Sequence, residues 1–261
     1  MNKSTEFIFS IPDKISDLKT ALQIIGDYQF SAVETAYEHI ASYKIDSLDE
    51  LFDYLPLYSV RNIIPLSVSR SIADQKEAVI TGFLNELEKR TDLLDTIEAD
   101  YFTLDMGIEN SVGSEDSEAF RNRISLLARM APLLYRQSVR LALPVRIPSV
   151  LPEPNIAFSE VLKGSLCGKI SLIMNIHPHE PAILGQYNEL ITPFRFYTEN
   201  ISFEFEPETG NTMVTQFVKK WVETLMELNI PERIIFRPRL TSIDSLEECA
   251  SKLENIINSI G

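Results

Sequence analysis

Two of the chain's three histidines, His177 and His179, flank Pro178 and are followed by Glu180. Pro178 biases His177 toward an extended backbone, and in such a backbone both imidazoles project to one side. A pair of this kind can exchange protons near neutral pH or ligate a metal; two solvated loop histidines are the plain alternative. Arg237-Pro238-Arg239 repeats the arrangement with guanidinium groups, whose planar fork grips carboxylates and phosphates in bidentate fashion. Other side chains with chemical potential are Glu34, Glu38 and His39, then Arg70, Asp105 and Glu109, then Arg146, and finally Glu204, Glu206 and Glu208. Each has a simpler reading as a solvated or salt-bridged loop residue, and the functional reading rests on their converging.

Convergence depends on the elements that carry them. Ile170 to Ile176 is an almost unbroken apolar run of strand length, the pattern of a strand buried on both faces. Seven more runs are read as strands: Phe7–Ile11, Ala32–Thr35, Ile63–Val68, Tyr101–Asp105, Leu141–Leu143, Ile201–Phe205 and Arg233–Phe236. Helical patterns alternate with them, two of them long, from Gln75 to Ala99 and from Glu118 to Ser138. Pro132 is expected to kink or divide the second of these. Ser47-Leu48-Asp49-Glu50 and Ser245-Leu246-Glu247-Glu248 have capping-box form. Trp221 lies on the apolar face Met213, Phe217, Trp221, Leu225, Leu228, and Cys249 on the face Leu246, Cys249, Leu253, Ile256, Ile260, which makes both core residues.

Eight βα units in 261 residues predict one α/β domain, a closed (β/α)8 TIM barrel. A doubly wound open sheet is the fallback, disfavoured because none of the nine glycines forms a dinucleotide or P-loop pattern. Pro144, Pro178 and Pro238 would each interrupt a parallel ladder and are expected at strand exits or bulges. The candidate residues then fall at the ends of strands, where barrels of this class place their sites.

Composition narrows the partners. A formal charge of -14 argues against nucleic acid or an anionic membrane surface. No run approaches the roughly 20 apolar residues of a membrane span, and the first apolar run, Phe7 to Ile11, is too short for a secretory signal. Cys167 and Cys249 form neither a metal-ligand spacing nor a disulfide framework, so a reduced, cytoplasmic setting is expected.

The segment Tyr28-Gln29-Phe30-Ser31-Ala32-Val33-Glu34 resembles the "G-F-x-x-V-E" opening of strand two in xylose isomerase-like TIM barrels, a superfamily that includes sugar phosphate isomerases and epimerases. The resemblance implies a sugar substrate and a divalent metal held by carboxylates from strands five, six and eight, with histidine contributions. This chain departs from that pattern. The fifth-strand form "L-A-L-E-N" is matched by Leu141-Ala142-Leu143-Pro144-Val145, with Pro144 at the glutamate position. The sixth-strand form "L-D-x-G-H" is matched by Met174-Asn175-Ile176-His177, which keeps the histidine and loses the aspartate. The eighth-strand glutamate is replaced within Ile235-Phe236-Arg237. A hard divalent cation wants oxygen ligands, so these replacements imply no metal and no other cofactor.

The resulting expectation is a barrel that binds a small anionic sugar or sugar phosphate at its C-terminal mouth. Arg146, Arg237 and Arg239, with His179 and Glu204, would bind it, and Glu34 and His177 would carry any proton transfer. Two alternatives stand beside it. One is an active metal-dependent isomerase or epimerase with ligands rearranged among Glu34, Asp105, His177 and Glu204; the other is a non-enzymatic binding or interaction protein. The H-x-H pair also occurs in metal-dependent amidohydrolases, but those need further histidines and only His39 remains.

Overall fold

The strand and helix patterns resolve, in a computed structural model, into eight parallel strands hydrogen-bonded in chain order and closed on themselves by pairing of the last with the first. The structure describes residues 5–107, 118–146, 168–176, 198–207, 212–227 and 233–260. The strands are β1 (Glu6–Ser10), β2 (Ala32–Ala36), β3 (Leu57–Arg61), β4 (Tyr101–Thr103), β5 (Arg140–Arg146), β6 (Ile170–Ile176), β7 (Thr198–Phe205) and β8 (Arg233–Pro238). The helices among the described residues are α1 (Leu18–Gly26), α2 (Tyr37–Ile40), α3 (Ile45–Phe52), α4 (Leu66–Ser71), α5 (Glu77–Thr96), α6 (Glu118–Arg136), α7 (Thr212–Glu227) and α8 (Asp244–Ile260). Closure excludes the open-sheet alternative.

The helices bury the faces their spacing predicts. Leu246, Cys249, Leu253 and Ile256 of α8 are all buried, as is Trp221 of α7. Burial pushes the Cys249 thiol up to about 12, which suits a core residue and not a nucleophile. The start of α1 is held by Asp17, whose carboxylate accepts from the Thr20 N–H at 3.0 Å and from its hydroxyl at 2.7 Å.

Four expectations need correction. The third strand is Leu57–Arg61, not Ile63–Val68, and Leu66–Ser71 is helical. In β3 a register shift opposite Val33 and Glu34 leaves Tyr58 as an extra residue. Tyr58 and Ser59 then both face the barrel interior, the expected effect of a bulge, so the simple alternation is lost. The apolar run beyond Pro65 imitates a strand better than the strand does. Second, of the two outcomes expected at Pro132 division is excluded, since α6 runs through it as one helix. Third, the capping serines lie inside their helices: α3 is capped by Lys44 without a side-chain bond, and Ser245 is the second residue of α8. Fourth, Pro144 sits within β5, in register with Ile173 of β6. The even-numbered residues of β5 face β4, since the Arg140 N–H bonds the Asp100 carbonyl. The ladder with β4 ends at Thr103–Ala142, so at Pro144 the missing N–H forfeits no ladder bond. Pro238, in contrast, ends β8 as expected.

Inside the barrel one apolar level is formed by Ile8, Ala32, Tyr58, Tyr101, Ala142, Ile173 and Ile235. On β7 the corresponding place is taken by Asn200, whose side-chain oxygen accepts from the Tyr58 hydroxyl at 2.6 Å. Below it, toward the N-terminal ends, Arg140 lies over the Tyr101 ring at 4.1 Å and Arg233 over the Tyr58 ring at 4.9 Å. These cation–π contacts close the bottom of the barrel.

Candidate functional site

Successive residues of a strand alternate in and out, so the interior continues two residues further along each strand. From the apolar level this step leads to a second level of Ser10, Glu34, Thr103, Pro144, Asn175, Ser202 and Arg237, with Ser59 taking the place on β3 after the bulge; all but Pro144 are polar. Its centre is Glu34, which is completely buried. Arg237 grips it from β8, one strand beyond β1, Nε to Oε2 at 2.7 Å and Nη2 to Oε1 at 2.8 Å. The Ser10 hydroxyl donates to Oε2 at 2.7 Å and the Ser59 hydroxyl to Oε1 at 2.8 Å. Burial by itself would raise the Glu34 carboxyl, but the Arg237 charge and hydrogen bonds, aided by Arg61 and Ser10, outweigh it and hold it at about 2. The remaining side of Arg237 is fixed as well: Nη1 donates to Asn175 Oδ1 at 3.1 Å and to the Ser202 hydroxyl at 3.4 Å.

A further step of two residues reaches the rim, with Arg61 on β3, Glu204 on β7 and Arg239 just beyond β8. Arg239 holds Glu204 through Nε at 2.8 Å and Nη2 at 2.6 Å, and its Nη1 lies 3.7 Å from Glu206. Arg61 donates Nε to the Ser10 hydroxyl at 3.1 Å and pairs with Asp13 of the β1–α1 loop. Between these groups opens a cavity of about 650 Å³, lined by Ser10, Asp13, Arg61, Glu204, Arg237 and Arg239 among others. The volume is ample for a monosaccharide derivative, for which pockets start at about 300 Å³.

Of the residues that the sequence pointed to, Glu34, Glu204, Arg237 and Arg239 therefore meet at one mouth. Arg146 ends β5 in register with Asn175, and its side chain lies outside the described parts. His177, His179 and Glu180 lie outside the described residues, as do Glu109 and Glu208. Arg70 and Asp105 form their own pair at 2.6 Å, and His39 bonds Thr35 at 2.9 Å. Sequence reasoning missed Ser10, Ser59, Arg61, Asn175 and Ser202. Counting two residues on from the apolar interior positions finds all but those on β3, where the bulge breaks the count.

The described mouth does not suit a hard divalent cation. Among the described residues no group of three or more His, Cys, Asp or Glu side chains is placed to hold a metal ion. Glu34 and Glu204, the two interior carboxylates at the mouth, are each occupied by a guanidinium, so a cation beside them would meet like charge.

No family model matches the chain, and no curated protein matches it in sequence. Solved structures do match. The 3-keto-D-glucoside 4-epimerase from E. coli in its apo form superposes with a TM-score of 0.68 at 9% identity, over 98% of this chain and 100% of that one. The D-allulose 3-epimerase from Methylomonas sp. in complex with D-allulose gives 0.68 at 12% identity, over 99% and 98%. A xylose isomerase domain protein from Planctomyces limnophilus gives 0.59 at 10%, over 97% and 98%. Such identities speak for the fold alone: the chain is built as a (β/α)8 TIM barrel, the fold shared by these two epimerases and the xylose isomerase domain protein.

Proposed function

We propose that the C-terminal mouth binds a small anionic sugar derivative, such as a sugar phosphate, and does so without a divalent metal. The observation that carries this reading is the clamp of Arg237 on buried Glu34. It fixes a positively charged guanidinium at the floor of the cavity, where its field can attract an anion without reorganising. Two features support it. The cavity is lined by Lys14, Arg61, Arg237 and Arg239 against Asp13, Glu204 and Glu206, with Glu34 beneath Arg237, so that basic groups match acidic ones locally in a chain of charge -14. The fold is also that of proteins whose names describe sugar epimerases, one of them in complex with D-allulose.

In this reading Glu34 serves to position Arg237. A carboxylate held at about 2, with both oxygens already accepting, is a poor general base. Any isomerase- or epimerase-type proton transfer falls to groups that face the cavity, with His177 the candidate from sequence. The test is thermal stabilisation of EDTA-treated protein by D-fructose 6-phosphate. Saturation at about 100 times the dissociation constant contributes about 2.7 kcal/mol, and Arg237→Ala or Arg239→Ala should remove the response. A response that appears only when Mn²⁺, Co²⁺ or Zn²⁺ is restored would favour the rearranged metal enzyme instead.

A further inference from the structure

Arg61 differs from the other two mouth arginines in what holds it. Arg237 has Glu34 on two nitrogens and Asn175 and Ser202 on the third. Arg239 has Glu204 on two nitrogens and Glu206 beside the third. Arg61 is fixed from behind by the barrel wall. Its Nε donates to Ser10 at 3.1 Å and lies 3.5 Å from Glu34, and its Nη2 donates to the Ile11 carbonyl. Its Nη1 is held by the carboxylate of Asp13, and both residues line the cavity.

The two partners of that pair are unequal. The Arg61 side chain is 16% exposed and Asp13 is 53% exposed. Asp13 is anchored through its backbone, since its carbonyl accepts from His39 Nε2 at 3.2 Å. Its side chain has one further contact, the Asn62 amide at 3.4 Å, and Asn62 itself is in the left-handed region at φ 54°. Rotating the Asp13 side chain into water therefore leaves the loop in place and gives up one part-buried ion pair and one exposed hydrogen bond. Moving Arg61 instead would strip charge from a fully buried glutamate, which costs far more.

We propose that Asp13 is a built-in stand-in for the ligand: Arg61 is the residue that binds the ligand's phosphate or carboxylate, and that anion displaces the Asp13 carboxylate from the guanidinium. Lys14, exposed and lining the same cavity, adds a second positive charge to the vacated position. This inference rests on the mouth being the ligand site and adds which arginine takes the anion and what it must displace. It carries an inverted expectation. Removing an acidic side chain from the mouth should help most where that side chain blocks Arg61.

Calorimetric titration of inorganic phosphate, D-fructose 6-phosphate and D-fructose into four proteins tests it: wild type, Asp13→Asn, Glu206→Gln and Arg61→Gln. Asp13→Asn should bind both anions about fivefold more tightly, the equivalent of about 1 kcal/mol, with a smaller gain for uncharged D-fructose. Glu206→Gln removes the same charge from the same mouth without touching Arg61 and should gain clearly less. Equal gains in the two variants would reduce the effect to bulk charge and overturn the proposal. So would phosphate binding by Arg61→Gln at wild-type affinity; because that variant removes a partly buried residue, the two exposed-acid variants decide the matter if it fails to fold. The outcomes also separate the two readings. If D-fructose 6-phosphate binds wild type and Asp13→Asn equally, the sugar site stands and the displacement fails. If only inorganic phosphate binds, and more tightly to Asp13→Asn, the displacement stands and the sugar site fails. If neither anion binds any of the four, both fail.

Discussion

Glu34 is where the energetics of the mouth concentrate. A carboxylate with no exposure is tolerable only because four donors satisfy it and Arg237 neutralises it. Removing one member of a buried pair strands the other, at a typical cost of about 3–5 kcal/mol. Glu34→Gln keeps the shape and loses the charge, so its unfolding free energy from urea denaturation should fall by an amount in that range; a loss below about 1 kcal/mol would show that water already compensates the pair. The same residue sets an acid limb. Its carboxyl lies below its ordinary value of 4.5, at about 2 in the folded chain. The stabilisation is therefore complete above about pH 4.5 and disappears as the pH falls toward about 2, with an order of about 3 kcal/mol. A stability–pH curve of wild type should show this loss, and the curve of Glu34→Gln should be flatter across the same interval.

At the scale of elements, the end of α5 shows how local rules and local exceptions coexist. The Ala99 N–H bonds the Leu94 carbonyl at 3.0 Å and the Glu98 N–H bonds the Asp95 carbonyl at 3.3 Å. This is the bond pattern of a Schellman cap, with buried Leu94 and Ala99 supplying its apolar contact. The residue that must turn left-handed is Glu98, at φ 55°. A glutamate pays a steric cost there that glycine does not, and its side chain is exposed. Glu98→Gly should therefore stabilise the protein by up to about 1 kcal/mol, read as a rise in thermal midpoint. A decrease would mean that glycine's added freedom in the unfolded chain outweighs the relief.

For the whole molecule, 38 acidic against 24 basic residues leave repulsion that the surface pairs offset only in part. Screening acts over about 10 Å at 0.1 M salt and weakens exposed pairs and exposed repulsions alike. The repulsions are in excess, so raising sodium chloride from about 20 mM to about 500 mM should raise the thermal midpoint by a few degrees. A fall would show that the ion pairs around the barrel, such as Arg233–Glu6 at 2.7 Å and Arg140–Glu199 at 2.9 Å, dominate. Among the described residues no helix is long and apolar enough to cross a membrane.

The sequence by itself determined the class of fold, because strand and helix periodicity are local properties repeated eight times along the chain. It also determined the buried face of α8 and the burial of Trp221 and Leu225 on α7, and it located β6 to the residue, since an almost unbroken apolar run has one reading in a barrel wall. It indicated Glu34, Glu204, Arg237 and Arg239 as strand-end residues but not how they pair. Glu34 and Arg237 are 203 residues apart and meet only because β1 pairs with both β2 and β8. Tertiary structure alone decided that Arg237 answers to Glu34, and which of the neighbouring acids Glu204 and Glu206 holds Arg239, since these partners depend on closure and register. It also decided the place of Arg61. One extra residue at Tyr58 shifts β3 against β2, and nothing in the local sequence registers a shift that exists only between two strands.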